Sequence, residues 1–196
     1  QHLLANEGVV MVDPQNDSHT LLARHQGNSK TIKPLHWVNR AHLGRIKARN
    51  REQSFALDLL LDPSIALVTL VGKAGTGKTL LALAAGLHQV ADTHQYARLL
   101  VTRPPISLGK DIGYLPGTLE EKLGPWMKPI IDNIDFITGA SPGDDAEQTK
   151  KPMHRESRNA WADLQGMGLL EVEAINTIRG RSIPHQFLVV DEAQNL

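Results

Sequence analysis

Hydrophobic and polar positions along this chain change period several times, and each change predicts an element. Gly8-Val9-Val10-Met11-Val12 reads as a strand, Asp13-Pro14-Gln15-Asn16-Asp17 as a turn, and Thr20 to His25 as a returning strand. A hairpin alone is marginal, so this one must pack on something else. Glu52 to Leu61 places Phe55, Leu57, Leu59, Leu60 and Leu61 on a broad apolar side, which predicts a helix ended by Asp62-Pro63. Ile65 to Val71 is a continuous apolar run, read as a strand, and Leu80 to Val90 is an apolar helix.

Arg98 to Thr102 reads as the next strand. Residues 104–117 are rich in glycine and proline and read as a long ordered loop. Thr118-Leu119-Glu120-Glu121 is a capping box. Leu119, Leu123, Trp126, Ile130 and Ile134 follow at helical spacing, with breaks expected at Gly124-Pro125 and Pro129 and with Trp126 in the core. Thr138 to Pro152 is polar and predicts a mobile loop, and a helix around His154–Gln165 ends at Gly166. Leu169 to Glu173 is a strand, and Phe187 to Val190 reads as a buried parallel strand. Strands alternating with helices predict an α/β fold with a mainly parallel sheet, its strand order left open.

Two segments carry chemistry. Gly72-Lys73-Ala74-Gly75-Thr76-Gly77-Lys78-Thr79 stands between an apolar strand run and the helix opened by Leu80, the context in which G-x-x-x-x-G-K-[ST] binds phosphates. Its glycines let the backbone wrap a phosphate chain with successive N–H groups pointing inward. The helix N-terminus adds unpaired N–H groups and partial positive charge. Lys78 can reach the β- and γ-phosphates, and the Thr79 hydroxyl can ligate Mg²⁺. Asp191-Glu192 ends the last apolar run, where an open α/β sheet puts its ligand. Asp191 suits the same Mg²⁺, and Glu192 is placed to orient or deprotonate an attacking water.

Composition adds limits. The 196 residues suffice for one domain plus a small appendage, 41% are hydrophobic, and no run approaches a membrane span. Net charge is zero, so only local clusters can speak of partners. The absence of cysteine excludes disulfides and thiolate zinc sites and fits a cytoplasmic location. Histidine pairs such as His36/His42 and His88/His94 lack metal-ligand spacing and read as surface or packing residues. Lys30 to Arg51 holds Lys30, Lys33, Arg40, Arg45, Lys47, Arg49 and Arg51 with no acid, either a solvated connector or a contact for a nucleic-acid backbone. Gln53, 19 residues before Gly72, is either a surface helix residue or an amide able to read an adenine edge. Arg103 puts a guanidinium at a ligand-facing strand end. Arg179 and Arg181 lie in a turn, as trans-acting arginines or as partners of Glu171 and Glu173. Starting at Gln1 and stopping at Leu196, shortly after a central strand, the chain reads as a fragment cut at both ends.

Val101-Thr102-Arg103-Pro104, Gly113-Tyr114-Leu115-Pro116-Gly117, Glu121-Lys122, Pro125-Trp126, Ile178-Arg179-Gly180-Arg181-Ser182 and Val190-Asp191-Glu192-Ala193-Gln194-Asn195 together resemble the PhoH-like ATPase family, whose core resembles superfamily 1 RNA helicases. The resemblance covers roughly residues 35–196 and implies a partial P-loop NTPase core, incomplete at its C-terminal end, behind a hairpin and linker at 1–34. That hairpin looks like what joins a PIN ribonuclease to the ATPase in a two-domain branch of the family. The resemblance further implies ATP hydrolysis with Mg²⁺ coupled to RNA, single strands above all, and a homo-oligomeric ring, a hexamer. On matching positions it puts Gly72 to Leu80 on the nucleotide, Lys78 and Glu192 in catalysis, Thr79 and Asp191 on the metal, Gln194 as a γ-phosphate sensor and Arg103 near nucleic acid. An AAA+ remodelling ATPase and a nucleotide-binding switch without catalysis stay open. A small-molecule kinase is disfavoured, because Glu192 would activate water beside the γ-phosphate and waste ATP.

Overall fold

The computed structural model describes residues 2–27, 31–104, 119–139, 160–178 and 180–196, with only the backbone described at 119–126, 176 and 177. The described chain falls into two compact units, residues 1–42 with 46–85, and 43–45 with 86–196. The boundary drawn from sequence after residue 34 falls inside the first unit.

In the first unit β1 (Gly8–Asp13) pairs antiparallel with β2 (Asn16–Gln26), with Val10 opposite Leu22 and an irregularity between Val12 and Asp13. The hairpin expected from the apolar pattern is present but larger. β2 starts at Asn16, and β3 (Thr31–Pro34) adds a third antiparallel strand where a connector was expected. The turn is short because Asp13 accepts a hydrogen bond from the Gln15 N–H at 2.9 Å, and Asn16 one from the Ser18 N–H at 3.1 Å.

The sheet finds its packing partner in α1 (Arg51–Leu61). Asn50 caps this helix, its side chain accepting from the Gln53 N–H at 2.8 Å. Leu57 and Leu61 are buried, and so is Asp58, which is 1% exposed. Asp58 Oδ1 accepts the N–H groups of His36 at 2.9 Å and Trp37 at 2.8 Å, while its Oδ2 lies 3.3 Å from Arg24 Nε on β2. Arg24 also pairs with Asp62 and donates to Asn6. Burial raises the Asp62 carboxyl, but hydrogen bonds from Arg24 and Ser64 outweigh it and hold the group below its ordinary range. Gly8 permits the close approach of sheet and helix, since a Cβ there would lie 2.7 Å from the Phe55 ring.

Ile65 to Val71 departs from expectation. The run is not a strand: Leu67 is 84% and Val71 91% exposed. A strand needs a ladder partner, and among the described residues β-pairing involves none of these positions. α2 (Lys78–Leu87) follows as expected and continues into a π-helical turn, His88–Asp92.

In the second unit β4 (Arg98–Arg103) lies between β5 (Leu170–Ala174) and β6 (Gln186–Val190), both parallel to it. Leu99, Leu100, Val101 and Thr102 are fully buried, as a central parallel strand requires. β6 is parallel as expected and, among the described residues, stands at the edge of the sheet; Val189 is buried while Leu188 is exposed. Gly86 sits against the sheet: a Cβ there would lie 2.8 Å from Leu99 and 2.9 Å from Phe187.

α3 (Leu119–Thr138) runs without the breaks expected at Gly124-Pro125 and Pro129. Met127, Ile130, Ile134 and Ile137 bury one face, and that packing outweighs the hydrogen bond each proline removes. Short α4 (Ala160–Gly166) and α5 (Ile175–Ile178) flank β5. The expected loops at 105–117 and 140–152, the capping residue Thr118, the Trp126 side chain and the start of the helix near His154 lie outside the described residues. No described helix is long and apolar enough to cross a membrane.

Candidate functional site

The octapeptide lies in the first unit. Gly75 has φ +76° and Gly77 φ +85°, conformations that side chains resist, so the glycines permit the loop to turn. Helix α2 starts at Lys78, and the Leu81 N–H donates to Gly77 O at 2.9 Å. Gly72, Lys73, Ala74, Gly75 and Thr76 are exposed, and Gly77, Lys78, Thr79 and Leu80 are half-buried. The loop is closed on itself. Lys78 Nζ donates to Gly72 O at 2.9 Å and Lys73 O at 3.0 Å, and the Thr76 hydroxyl donates to Lys73 O at 2.9 Å.

Gln53 reaches this loop from the first turn of α1. Its Nε2 donates to Thr76 O at 3.2 Å, and its Oε1 accepts the Arg49 N–H at 2.8 Å. The amide thereby ties the phosphate loop to the end of the basic segment. Of that segment, Lys33, Arg40, Arg45, Lys47, Arg49 and Arg51 are described, while Lys30 is outside the described residues.

The acids lie in the second unit. The Asp191 N–H donates to Thr102 O at 2.9 Å, extending the β4–β6 ladder by one bond. Glu192 has φ 54° and ψ 39°, a left-handed conformation uncommon for a non-glycine residue. Gln194, in the 3₁₀ turn Ala193–Asn195, donates its amide to the Glu192 carboxylate. Arg103, the last residue of β4, lies over both acids, with Nε 3.7 Å from Asp191 Oδ2 and Nη2 3.7 Å from Glu192 Oε1.

Arg181 pairs with Glu173 at 2.5 Å and Glu171 at 3.4 Å, as one of its two sequence readings held, and Arg179 is outside the described residues. Glu171 also takes Arg98. A hydrogen bond shared with Glu173, opposed by burial and helped by Arg98 and Arg181, holds its carboxyl below the usual range. Among the described residues no group of three or more histidines, cysteines or acids is placed to hold a metal.

The donor chemistry fits the group that the motifs imply. Lys78 places its ammonium on loop carbonyls that phosphate oxygens can replace, and the positive-φ glycines leave N–H groups on the loop. The Thr79 hydroxyl and the Asp191 carboxylate are the hard oxygen donors that Mg²⁺ prefers. Two relations were missed in the sequence: the Arg24–Asp58–Asp62 cluster and the seat of Arg103 on the acids. Asp58 between Leu57 and Leu61 was the available signal for the first, because an acid on an apolar helix side must be paired.

A parallel-sheet unit with acids at a strand's C-terminal end, and a glycine loop opening a helix, define a nucleotide-binding α/β protein of the phosphate-loop class. The profile of the PhoH-like protein family matches residues 45–196, and the chain belongs to that family. Protein PhoH2 of Bacillus subtilis is 54% identical over 155 residues, covering 79% of this chain and 32% of that protein. Protein PhoH2 of Thermobispora bispora is 41% identical over 152 residues, 77% of this chain and 31% of that protein. The PhoH-like protein of Bacillus subtilis is 33% identical over 129 residues, 66% of this chain and 34% of that protein. The chain thus spans about a third of the length of these relatives. Membership in this ATPase-type family, with its phosphate loop in place, makes residues 45–196 part of a nucleotide-binding domain.

Proposed function

We propose that this chain carries the ATP-binding and Mg²⁺-dependent ATP-hydrolysing core of an RNA-coupled motor, helicase-like in its action on single strands and working in a homo-oligomeric ring. The observation that carries the reading is the phosphate loop at 72–79, with left-handed Gly75 and Gly77 leading into the N-terminus of α2. Lys78 and the loop N–H groups hold the β- and γ-phosphates. Thr79 and Asp191 are the oxygen ligands assigned to Mg²⁺, which neutralises charge on the phosphate oxygens when bound. Glu192 takes a proton from a water whose oxygen attacks the γ-phosphorus. The bond from that phosphorus to the β–γ bridging oxygen breaks, leaving ADP and phosphate. Gln194, hydrogen-bonded to Glu192, orients that carboxylate.

RNA enters the proposal through the basic segment before α1 and through the resemblance of this chain's motifs to a helicase-like core, and the location proposed is cytoplasmic. In a PIN-fused parent the same motor would serve a ribonuclease. A second reading is a nucleotide-binding switch without turnover. It is favoured by Lys78 being engaged on its own loop and Arg103 on the acids.

The full-length protein and its Lys78→Ala variant test the proposal by equilibrium ATP titration and by turnover with and without single-stranded RNA. The variant should lose binding or turnover, and RNA should stimulate the parent. A variant that hydrolyses at the parent rate ends the phosphate-loop assignment. Nucleotide binding by the parent without any turnover selects the switch.

A further inference from the structure

Residues of β4 and β6 meet in strict register, Thr102 opposite Val190, so the next residues along, Arg103 and Asp191, emerge side by side at the C-terminal edge of the sheet. The Asp191 N–H to Thr102 O bond at 2.9 Å fixes that backbone. The Arg103 side chain is only 14% exposed, against 42% for Arg181 in the surface cluster. Its guanidinium spans both acids, each at 3.7 Å. At that separation these two contacts are ion pairs rather than hydrogen bonds.

From this geometry we infer that Arg103 is the in-chain counter-ion of the Asp191–Glu192 pair, and that a divalent cation must displace it to load, so that Arg103 sets the Mg²⁺ concentration at which the site switches on. The inference rests on the nucleotide-binding reading above and adds a positioning residue to it. Mg²⁺ requires its carboxylate oxygen at about 2.0–2.1 Å, and a guanidinium retained on the same oxygens would then repel it. In the resting state Arg103 balances two carboxylates that would otherwise repel each other at a half-buried strand end. Loading is therefore an exchange of one cation for another.

The test uses the full-length protein, a fluorescent N-methylanthraniloyl ATP as probe, and titration of Mg²⁺ from an EDTA-buffered start. Arg103→Gln should lower the half-saturating Mg²⁺ for the tight nucleotide complex about tenfold, equal to about 1.4 kcal/mol. Its nucleotide affinity in EDTA should stay within about twofold of the parent, because the phosphates are held by the loop. Arg103→Lys keeps the charge but loses the fork that spans two carboxylates, and should fall between the two. An Mg²⁺ threshold unchanged or raised in Arg103→Gln, with probe binding in EDTA intact, overturns the inference and leaves the nucleotide reading standing. If Arg103→Gln fails to fold by circular dichroism, Arg103→Lys decides in its place: a lowered threshold supports the inference, an unchanged or raised one overturns it. A parent that binds no probe at any Mg²⁺ concentration overturns both readings.

Discussion

Asp58 is the residue on which the first unit turns, and replacing it by alanine separates a buried structural acid from an incidental one. The two closest backbone N–H groups, of His36 and Trp37, end on its Oδ1, with the Val38 N–H a longer third at 3.4 Å, and Arg24 lies 3.3 Å from its Oδ2. Alanine leaves both N–H groups without that acceptor, at about 1–3 kcal/mol each where water cannot replace it. Arg24 keeps Asp62, so its own loss is partial. The sum expected for Asp58→Ala is about 3–5 kcal/mol, the range for breaking a buried charge network. Asp58→Asn retains an oxygen for the two N–H groups but loses the charge facing Arg24 and turns an amide NH₂ toward that guanidinium, at about 1–3 kcal/mol. Against the about 5–15 kcal/mol that a domain holds, the alanine variant should lose a large share of its stability and the asparagine variant a clearly smaller one. Urea denaturation followed by far-ultraviolet circular dichroism gives both values. An alanine variant within about 0.5 kcal/mol of the parent, or equal losses in both variants, would refute the reasoning.

Glu192→Gln should keep Mg²⁺-dependent ATP binding while turnover falls about 10²–10⁴-fold, the usual contribution of a general base; loss of binding in an equilibrium titration would make Glu192 a ligand or a structural acid instead. Asp62 has a folded-state pKa below its unfolded one, near 3.9, so its stabilisation is complete well above that value and disappears as pH falls through the folded pKa. Asp62→Asn should accordingly flatten the stability profile in urea melts between about pH 5 and 3, and an unchanged acid limb would contradict the Arg24 pairing. Gly8→Ala forces a methyl to 2.7 Å from the Phe55 ring and should cost about 1–3 kcal/mol in the same melts. Hydrogen exchange should be fast at 66–71, which carry no ladder bonds, and slow at Leu99 to Thr102; comparable protection in both would mean that 65–71 is paired in solution.

What the sequence disclosed follows from how local each signal is. The phosphate loop was legible because glycine spacing, the following lysine and the opening helix sit within a few residues, and Gly75 and Gly77 take the left-handed angles that the motif demands. Apolar runs located β4, β5 and β6, since a parallel sheet buries its strands. The same signal misread Ile65 to Val71, because hydrophobicity says that a segment can be buried and not which strand will pair with it. It also cut α3 at its prolines, where packing of Met127, Ile130 and Ile134 keeps the helix continuous. β3 was hidden because Thr31 to Pro34 is polar enough to read as linker and is a strand only by pairing with β2. Arg103 on the acids depends on strand order and register, which residues 88 positions apart cannot announce.

The cations of this chain that the proposed chemistry would bring to ligands are already engaged, each inside its own unit. Lys78 is held by two carbonyls of the loop that would receive phosphate, and Arg103 by Asp191, which would receive the metal, and by Glu192, the proposed base. Ligand binding to either centre is then a substitution, in which bonds within the chain give way to bonds with the ligand. The measured affinity is the difference between the two sets, smaller than the ligand's own bonds would give. The advantage of such parking lies in specificity. A lone anion can draw off Lys78 without touching the acids, and a lone divalent cation can displace Arg103 from the acids without filling the loop. A metal-bound nucleoside triphosphate carries both kinds of charge, an anion for Lys78 and a cation for the acids. Conditions that raise Mg²⁺ alone should therefore leave the loop closed on Lys78, and those that raise nucleotide alone should leave Arg103 on the acids.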